Sequence, residues 1–168
     1  MKRIESLFFC FLLAALFTFS AGWSRVLAQE DNPVADPKAT VIEGSARFTI
    51  LTPGLVRMEW SQDGKFIDSP SLVFINRRLP VPVYRTSTDG GWLVIQTNRL
   101  TLRYKKGSGE FNSGNLLISF TVGGQTVVWY PGEKDTANLY GTIRTLDGVK
   151  GPIALAPGLL SRSGWALV

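Results

Sequence analysis

Short runs in which apolar and polar residues alternate recur along the chain from residue 46 to residue 130. In the first run, the apolar Ala46, Phe48 and Ile50 are separated by single polar residues, so one face of an extended segment is apolar. The same alternation predicts strands at residues 46–50, 56–60, 72–75, 81–86, 92–97, 100–104, 116–122 and 126–130. No segment after residue 28 has the period of an amphipathic helix. The pattern therefore predicts an all-β fold, an antiparallel β-sandwich.

Turn residues separate the predicted strands. Pro53-Gly54 predicts a hairpin between the first two strands, and Gly123-Gly124 predicts a two-residue hairpin between the last two. Proline has no N–H for a ladder hydrogen bond, so Pro82 restricts the run at 81–86 to a sheet edge or to an irregular start.

The first 28 residues have the features of a secretory signal peptide. Lys2 and Arg3 precede an apolar run of 13 residues, and the stretch 26–28 ends in Ala28, as expected at a cleavage site. The apolar run is shorter than the roughly 20 residues of a membrane span. We predict cleavage after Ala28, with Gly22 as the alternative. The mature chain would then be exported to a bacterial periplasm or to the medium, with no membrane attachment.

The remaining chain divides into three segments. Residues 29–43 are polar and contain two prolines, which predicts a linker ahead of a sandwich core at 44–130. Glycine and proline then punctuate short apolar pieces throughout residues 131–168. A free tail would leave Trp165 and Leu167 unburied, so we expect this last segment to lead toward a further domain.

Composition narrows the possible chemistry. The 168 residues include 18 Lys and Arg, 13 Asp and Glu, and no His. No histidine relay and no histidine zinc site can therefore be built from this chain alone. Nucleic-acid binding is not expected, because the basic pairs Arg77-Arg78 and Lys105-Lys106 are predicted to be solvated strand ends or turns, with no basic face around them.

Carboxylates and aromatic side chains remain as candidates. Glycoside hydrolysis uses two carboxyl groups, about 5 Å apart in retaining enzymes. No spacing favours one pair among the carboxylates at predicted turns and loops, which are Asp63, Asp68, Asp89, Glu133, Asp135 and Asp147. Most such carboxylates bind their own backbone. Core positions are predicted for Trp60, Trp92 and Trp129, whereas sugar stacking and packing both stay open for Tyr84, Tyr130 and Tyr140.

Two blocks near the end of the chain resemble a known family. The first block is 138–148 (NLYGTIRTLDG) and the second block is 157–165 (PGLLSRSGW). Both are similar to the N-terminal region of glycoside hydrolase family 31, the α-glucosidase and α-xylosidase family, and weaker likeness extends the resemblance to about residues 45–168. Family members tend to have glycine where this chain has Tyr140, so a turn with positive φ in relatives is predicted to be altered here.

The resemblance implies a β-sandwich of the galactose-mutarotase-like type that packs against a (β/α)8 barrel. Two aspartates of that barrel act as nucleophile and general acid/base in the family, and no positions of this chain match them. The chain is therefore expected to carry no catalytic residue, metal or cofactor, and to meet an α-linked oligosaccharide only through the barrel. Thr142, Arg144 and Asp147 are the candidates for supporting the pocket or the domain interface, with a purely structural connection as the alternative.

Two other functions stay open. One is a free-standing noncatalytic carbohydrate-binding β-sandwich, which requires an open aromatic platform and a well-packed C-terminal segment. The other is a noncatalytic interaction module of the cell envelope. The predicted signal peptide is the only feature of the sequence that supports it.

Overall fold

The computed structural model describes residues 31–141, 147–148 and 150–168. Eight strands follow a short 3-10 helix at Pro37–Ala39, and they are β1 Thr40–Glu43, β2 Ala46–Thr52, β3 Leu55–Trp60, β4 Arg85–Asp89, β5 Trp92–Gln96, β6 Leu100–Lys105, β7 Leu116–Val122 and β8 Gln125–Trp129. The first three form one sheet and the other five a second sheet, each in chain order. All pairs are antiparallel. The predicted all-β class is confirmed, and the two sheets are consistent with a β-sandwich.

In several strands, alternate residues of the sequence face the core. Phe48 pairs with Met58 across β2 and β3, and both belong to the packed interior. Leu102 pairs with Ile118 across β6 and β7 in the same way. Because side chains alternate between the faces of a sheet, one buried position in two is enough to build this core. Its buried members are Ala46, Phe48, Ile50, Leu93, Ile95, Leu102, Tyr104, Leu116 and Trp129.

An aromatic cluster joins the two sheets. Phe48 of β2 lies 5.5 Å from Tyr104 of β6, measured between ring centroids. Phe111, from the loop between β6 and β7, lies 5.6 Å from Phe48 and 5.4 Å from Tyr104. The Tyr104 hydroxyl donates to the carbonyl of Gly109 at 2.6 Å, so the polar end of the buried ring is satisfied and holds the loop.

Two predictions about the first half of the chain are wrong. The stretch 72–75 is not a strand. The run at 81–86 starts irregularly and becomes a strand only at Arg85, where β4 is an edge strand, as its prolines predicted. Strand β1 lies inside the predicted linker of residues 29–43, where the β-branched Thr40, Val41 and Ile42 favour extended backbone. Val41 packs against the core, but the run is too short for alternation to identify it.

The loop between β3 and β4 lies against the outer face of the three-stranded sheet. Arg47 points away from the core because its neighbours Ala46 and Phe48 point inward. Its guanidinium reaches the Asp68 carboxylate at 2.7 Å and lies 4.7 Å from the ring centre of Phe66. The loop therefore covers this face through contacts with a charged residue rather than through strand pairing.

Arg77 holds the same loop from its far end. Its side chain was expected in solvent, but the residue is only 3% exposed. Its guanidinium donates to the carbonyl of Ser69 at 3.0 Å and to those of Pro33 and Ile67 at 3.3 Å. The neighbouring Arg78 is exposed. The prediction of a solvated Arg77 is therefore wrong, because the guanidinium satisfies the carbonyls of two irregular segments.

Candidate functional site

The two family-like blocks lie side by side. Asn138 of the first block and Ser161 of the second form an antiparallel bridge. The N–H of Leu139 donates to the carbonyl of Leu160 at 2.9 Å. Chain segments about twenty residues apart are therefore joined by main-chain hydrogen bonds.

The side chain of Asn138 uses all of its hydrogen-bonding capacity in this junction. Its Oδ1 accepts from the N–H of Tyr140 at 2.8 Å and from the N–H of Gly158 at 2.9 Å. Its Nδ2 donates to the carbonyl of Gly158 and to the Asp135 carboxylate, both at 2.8 Å. An amide side chain offers two donors and two acceptor positions, so no other side chain of this size could make the same four bonds.

Asp135 is the acceptor that ties the junction together. Its Oδ1 accepts from the hydroxyls of Ser161 and Ser163, both at 2.7 Å, and from the N–H of Ala137 at 3.2 Å. Desolvation raises the pKa of Asp135, but the hydrogen bonds from Ser161, Ser163 and Asn138 outweigh it and hold the pKa below the usual value. We call the group of Asp135, Asn138, Gly158, Ser161 and Ser163 the polar clamp.

Tyr140, whose N–H donates to Asn138 of the polar clamp, has an unusual backbone conformation. This residue has a φ of +58°, which is left-handed and rare for a bulky side chain. A Cβ at Gly158 would lie 2.9 Å from the Tyr140 carbonyl oxygen, so the second block approaches this turn as closely as backbone allows. The turn has a positive φ although its residue is tyrosine, and the tyrosine side chain is exposed; the predicted difference from relatives stays a prediction.

The second block ends against the sandwich core. The Trp165 ring lies 6.2 Å from the Trp129 ring of β8, measured between centroids. Gly164 precedes it with a φ of +78°, and a Cβ there would overlap the side chain of Val122. Trp165 is thus partly buried, in contrast to the unburied position that a free tail would give it.

An apolar groove of about 770 Å³ opens beside this contact. One wall is the edge strand β3 with Val56 and Met58, and further lining comes from Phe120 and Trp129 of the five-stranded sheet. The stretch 164–168 closes one end. The groove therefore joins the inner faces of both sheets to the end of the second block.

Of the three predicted site residues, the structure describes only Asp147. Thr142 and Arg144 lie outside the described residues. Asp147 is exposed and lies in a turn with Gly148, whose φ is +75°. Within the described ranges, no group of three or more carboxylates or thiols has a geometry that could hold a metal ion.

The other predicted carboxylates lie in turns and ion pairs, and the tryptophans predicted in the core differ in burial. Asp63 accepts from the Ser61 hydroxyl and from the N–H of Lys65, as expected of a turn carboxylate. Asp89 pairs with Arg103 at 3.0 Å. Of the three tryptophans predicted in the core, Trp129 is buried, whereas Trp60 and Trp92 are half-buried.

Sequence reasoning did not find the polar clamp. Asp135 was a candidate only as one of several loop carboxylates, and Asn138 entered only through the resemblance. A usable signal was present in the alternation of Ser161 and Ser163, which puts two hydroxyls on one side of an extended segment. The sequence did not show which residue these two hydroxyls would bind.

No protein-family model and no curated protein sequence matches this chain. Over the residues that the structure describes, none of the helices has the length and apolar character needed to cross a membrane.

Proposed function

We propose that this chain is the N-terminal β-sandwich, of the galactose-mutarotase-like type, of an exported retaining α-glycosidase that resembles glycoside hydrolase family 31. In this role it supports a (β/α)8 catalytic barrel and carries no catalytic residue of its own. The α-linked oligosaccharide would be bound through the barrel. The observation that carries the proposal is that the polar clamp pairs the two family-like blocks. The two segments that resemble the family are therefore parts of one local structure.

The backbone at Tyr140 supports the same proposal. The family tends to have glycine at this position, and glycine is the residue that adopts positive φ without steric cost. Here the position has a φ of +58° although it is tyrosine. A conformation required by the fold rather than by the local sequence accounts for both facts.

The apolar groove is the candidate surface for contact with the barrel. Its lining includes Leu55, Phe120 and Leu167, and Leu167 remains more than half exposed. Interfaces between domains of one chain bury such apolar surface. The predicted signal peptide supports export of the proposed enzyme.

The test begins with the reading frame beyond the codon of Val168. We expect it to continue into alternating strands and helices with catalytic aspartates, and its complete product to hydrolyse p-nitrophenyl α-glucoside or α-xyloside. The 168-residue chain alone should release no p-nitrophenol. In the complete product, Asn138→Ala should lower kcat/KM by about tenfold or more if the clamp positions the barrel. Asn112→Ala, in the exposed loop before β7, is the matched control and should leave kcat/KM unchanged.

Two outcomes would count against the proposal. One is turnover by the 168-residue chain, and the other is a stop codon directly after Val168. Saturable binding of maltose or xylose by the chain alone, measured by isothermal titration, would instead favour the free-standing carbohydrate-binding module. Replacing the exposed Tyr140 by alanine would then abolish that binding if its ring forms the sugar platform.

A further inference from the structure

A second, smaller cavity lies on the opposite side of the three-stranded sheet from the core. Its volume is about 270 Å³, and it is lined by the outer face of the sheet, the segment 33–37 and the loop that carries Asp68 and Arg77. Three arginines line it, Arg47 on β2, Arg57 on β3 and Arg77 in the loop. The proposed function gives this cavity no role.

The charges around the cavity do not balance. The Glu59 carboxylate pairs with Arg47 at 2.7 Å and with Arg57 at 2.6 Å, and the Asp68 carboxylate pairs with Arg47 at 2.7 Å. Arg77 has no carboxylate partner among the described residues and donates only to carbonyls. Three guanidinium groups therefore face two carboxylates. A buried excess of positive charge is unfavourable unless an anion accompanies it.

A single carbonyl brings the three cations together. The carbonyl oxygen of Ile67 accepts from Arg57 at 2.9 Å, from Arg47 at 3.1 Å and from Arg77 at 3.3 Å. Burial lowers the pKa of Arg57, and the charges of Arg77 and Arg47 lower it further, although Glu59 raises it. Arg57 therefore lies where burial and two neighbouring cations disfavour its charge, although it pairs with Glu59.

Arg57 also has donors to spare. Its Nη1 donates to Glu59 and its Nη2 donates to Ile67, one hydrogen bond each. A guanidinium carries five N–H bonds, so the Nε–H and one hydrogen on each Nη have no partner among the described residues. The side chain is 20% exposed and lines the cavity, so these donors are within reach of a ligand there.

We propose that this cavity binds a small carboxylate with a short apolar body, held by the Arg57 guanidinium. A planar carboxylate matches the two parallel N–H bonds of a guanidinium. The volume equals the share of about nine liquid waters, at roughly 30 Å³ each, which accommodates an anion such as butyrate. Pro33, Val34 and Ile42 supply apolar lining. Such walls favour an organic anion over a strongly hydrated inorganic one.

The test is a titration of the full chain with butyrate, followed by the NMR signals of the arginine Nε–H groups at constant ionic strength. We expect the Arg57 signal to shift and saturate, and the neutral isostere butyramide to have no effect. Arg57→Gln should weaken butyrate binding about ten- to a hundredfold, the loss of a charge-assisted hydrogen bond. Arg103→Gln, a surface arginine paired with Asp89 on the other sheet, is the matched control and should bind as the unchanged chain does.

Several results would overturn the proposal. They are the absence of a saturable shift, an equal response to butyramide, and equal weakening by Arg57→Gln and Arg103→Gln. Saturation by sulfate or phosphate without any by butyrate would show that the site takes inorganic anions, which contradicts the carboxylate assignment. If Arg57→Gln does not fold, the Arg57 signal of the unchanged chain still decides between these outcomes.

Discussion

At the scale of single residues, two glycines separate the cost of a backbone angle from the cost of a close contact. Gly164 has a φ of +78° and Gly124 has a φ of +81°, so both lie in the region that side chains avoid. A Cβ at Gly124 would have no neighbour within 4 Å, whereas one at Gly164 would overlap Val122. The approach of the second block to β7 therefore depends on the missing side chain.

Alanine at these two positions should give unequal losses of stability. We expect Gly124→Ala to lower the free energy of unfolding by about 1 kcal/mol, the cost of a left-handed backbone. Gly164→Ala should lower it by about 2 to 4 kcal/mol, because overpacking against Val122 adds to the backbone cost. Urea denaturation of both variants measures the difference. Equal losses would show that Val122 moves aside and that the close contact is not needed.

The lowered pKa of Asp135 predicts that the folded chain loses stability in acid. Its pKa is lowered in the folded chain from an ordinary value of 3.8, so the folded state binds this proton less readily than the unfolded state does. The stabilisation is therefore complete above that ordinary value and is lost as the pH falls through the folded pKa. The difference in unfolding free energy between the chain and Asp135→Asn should be constant from about pH 5 to 7 and should shrink below about pH 4.

The double variant Ser161→Ala, Ser163→Ala is the control for that measurement. It removes two of the hydrogen bonds that lower the pKa of Asp135 and leaves the carboxylate in place. Its own dependence on pH below 4 should therefore be weaker than that of the unchanged chain. If the unchanged chain, Asp135→Asn and the double serine variant gave identical acid unfolding curves, the polar clamp would not be the cause of the loss of stability in acid.

At the scale of elements, alternation in the sequence identified the strands that have one buried and one outward face. The runs at 46–50, 100–104 and 116–122 are strands whose alternating apolar residues lie in the core or pack against it, except for the exposed Val122. The bounds predicted for strand β4 differ from the observed ones because all five of its residues are exposed, so it lacks an apolar face. The prediction of a strand at 72–75 is wrong for the opposite reason. This run is apolar, but its side chains have no strand beside them and Leu72 is fully exposed.

The candidate sites were less predictable than the strands. The polar clamp is made of loop residues whose partners lie about twenty positions away, and no periodicity records such pairings. The resemblance located both halves of the clamp without indicating which side chains hold them together. Arg77 was misjudged because a basic pair ordinarily lies in solvent. Arg77 is buried because it binds carbonyls of irregular segments. In a strand, such carbonyls would be paired with a neighbouring strand.

The loop between β3 and β4 should depend on Arg77 far more than on Arg78. Arg77→Met keeps much of the buried volume but leaves the carbonyls of Pro33 and Ser69 without their donor, so we expect a loss of about 2 to 3 kcal/mol in unfolding free energy. Arg78→Met removes only an exposed pair with Asp36 at 3.4 Å and should cost less than about 1 kcal/mol. Guanidinium denaturation of the two variants gives both values.

Limited proteolysis adds a second measurement of the same prediction. In Arg77→Met the loop should become a preferred cleavage region, because its attachment to the outer face is reduced to the contacts of Arg47 and Arg57. In Arg78→Met the pattern of fragments should match that of the unchanged chain. Similar cleavage in both variants would mean that the loop is held by something other than the Arg77 guanidinium.

At the scale of the whole molecule, the two sheets share no paired strands within the described residues, and side chains pack between them. The aromatic cluster of Phe48, Tyr104 and Phe111 makes one of these contacts, and Trp129 with Trp165 lies in the second block's contact with the core. Neither sheet can bury its apolar face without the other. We therefore expect the sandwich to unfold in one cooperative transition, as single domains of this size usually do.

Phe48→Ala tests that cooperativity. Removing a fully buried ring should lower the free energy of unfolding by about 3 to 5 kcal/mol. Because Phe48 contacts the other sheet through Tyr104, hydrogen exchange should accelerate equally at the slowest amides of β2 and β6. Phe66→Ala, which removes a ring from the outer face, is the control and should affect β2 and β3 alone. Faster exchange confined to the three-stranded sheet in Phe48→Ala would mean that the five-stranded sheet is stable by itself.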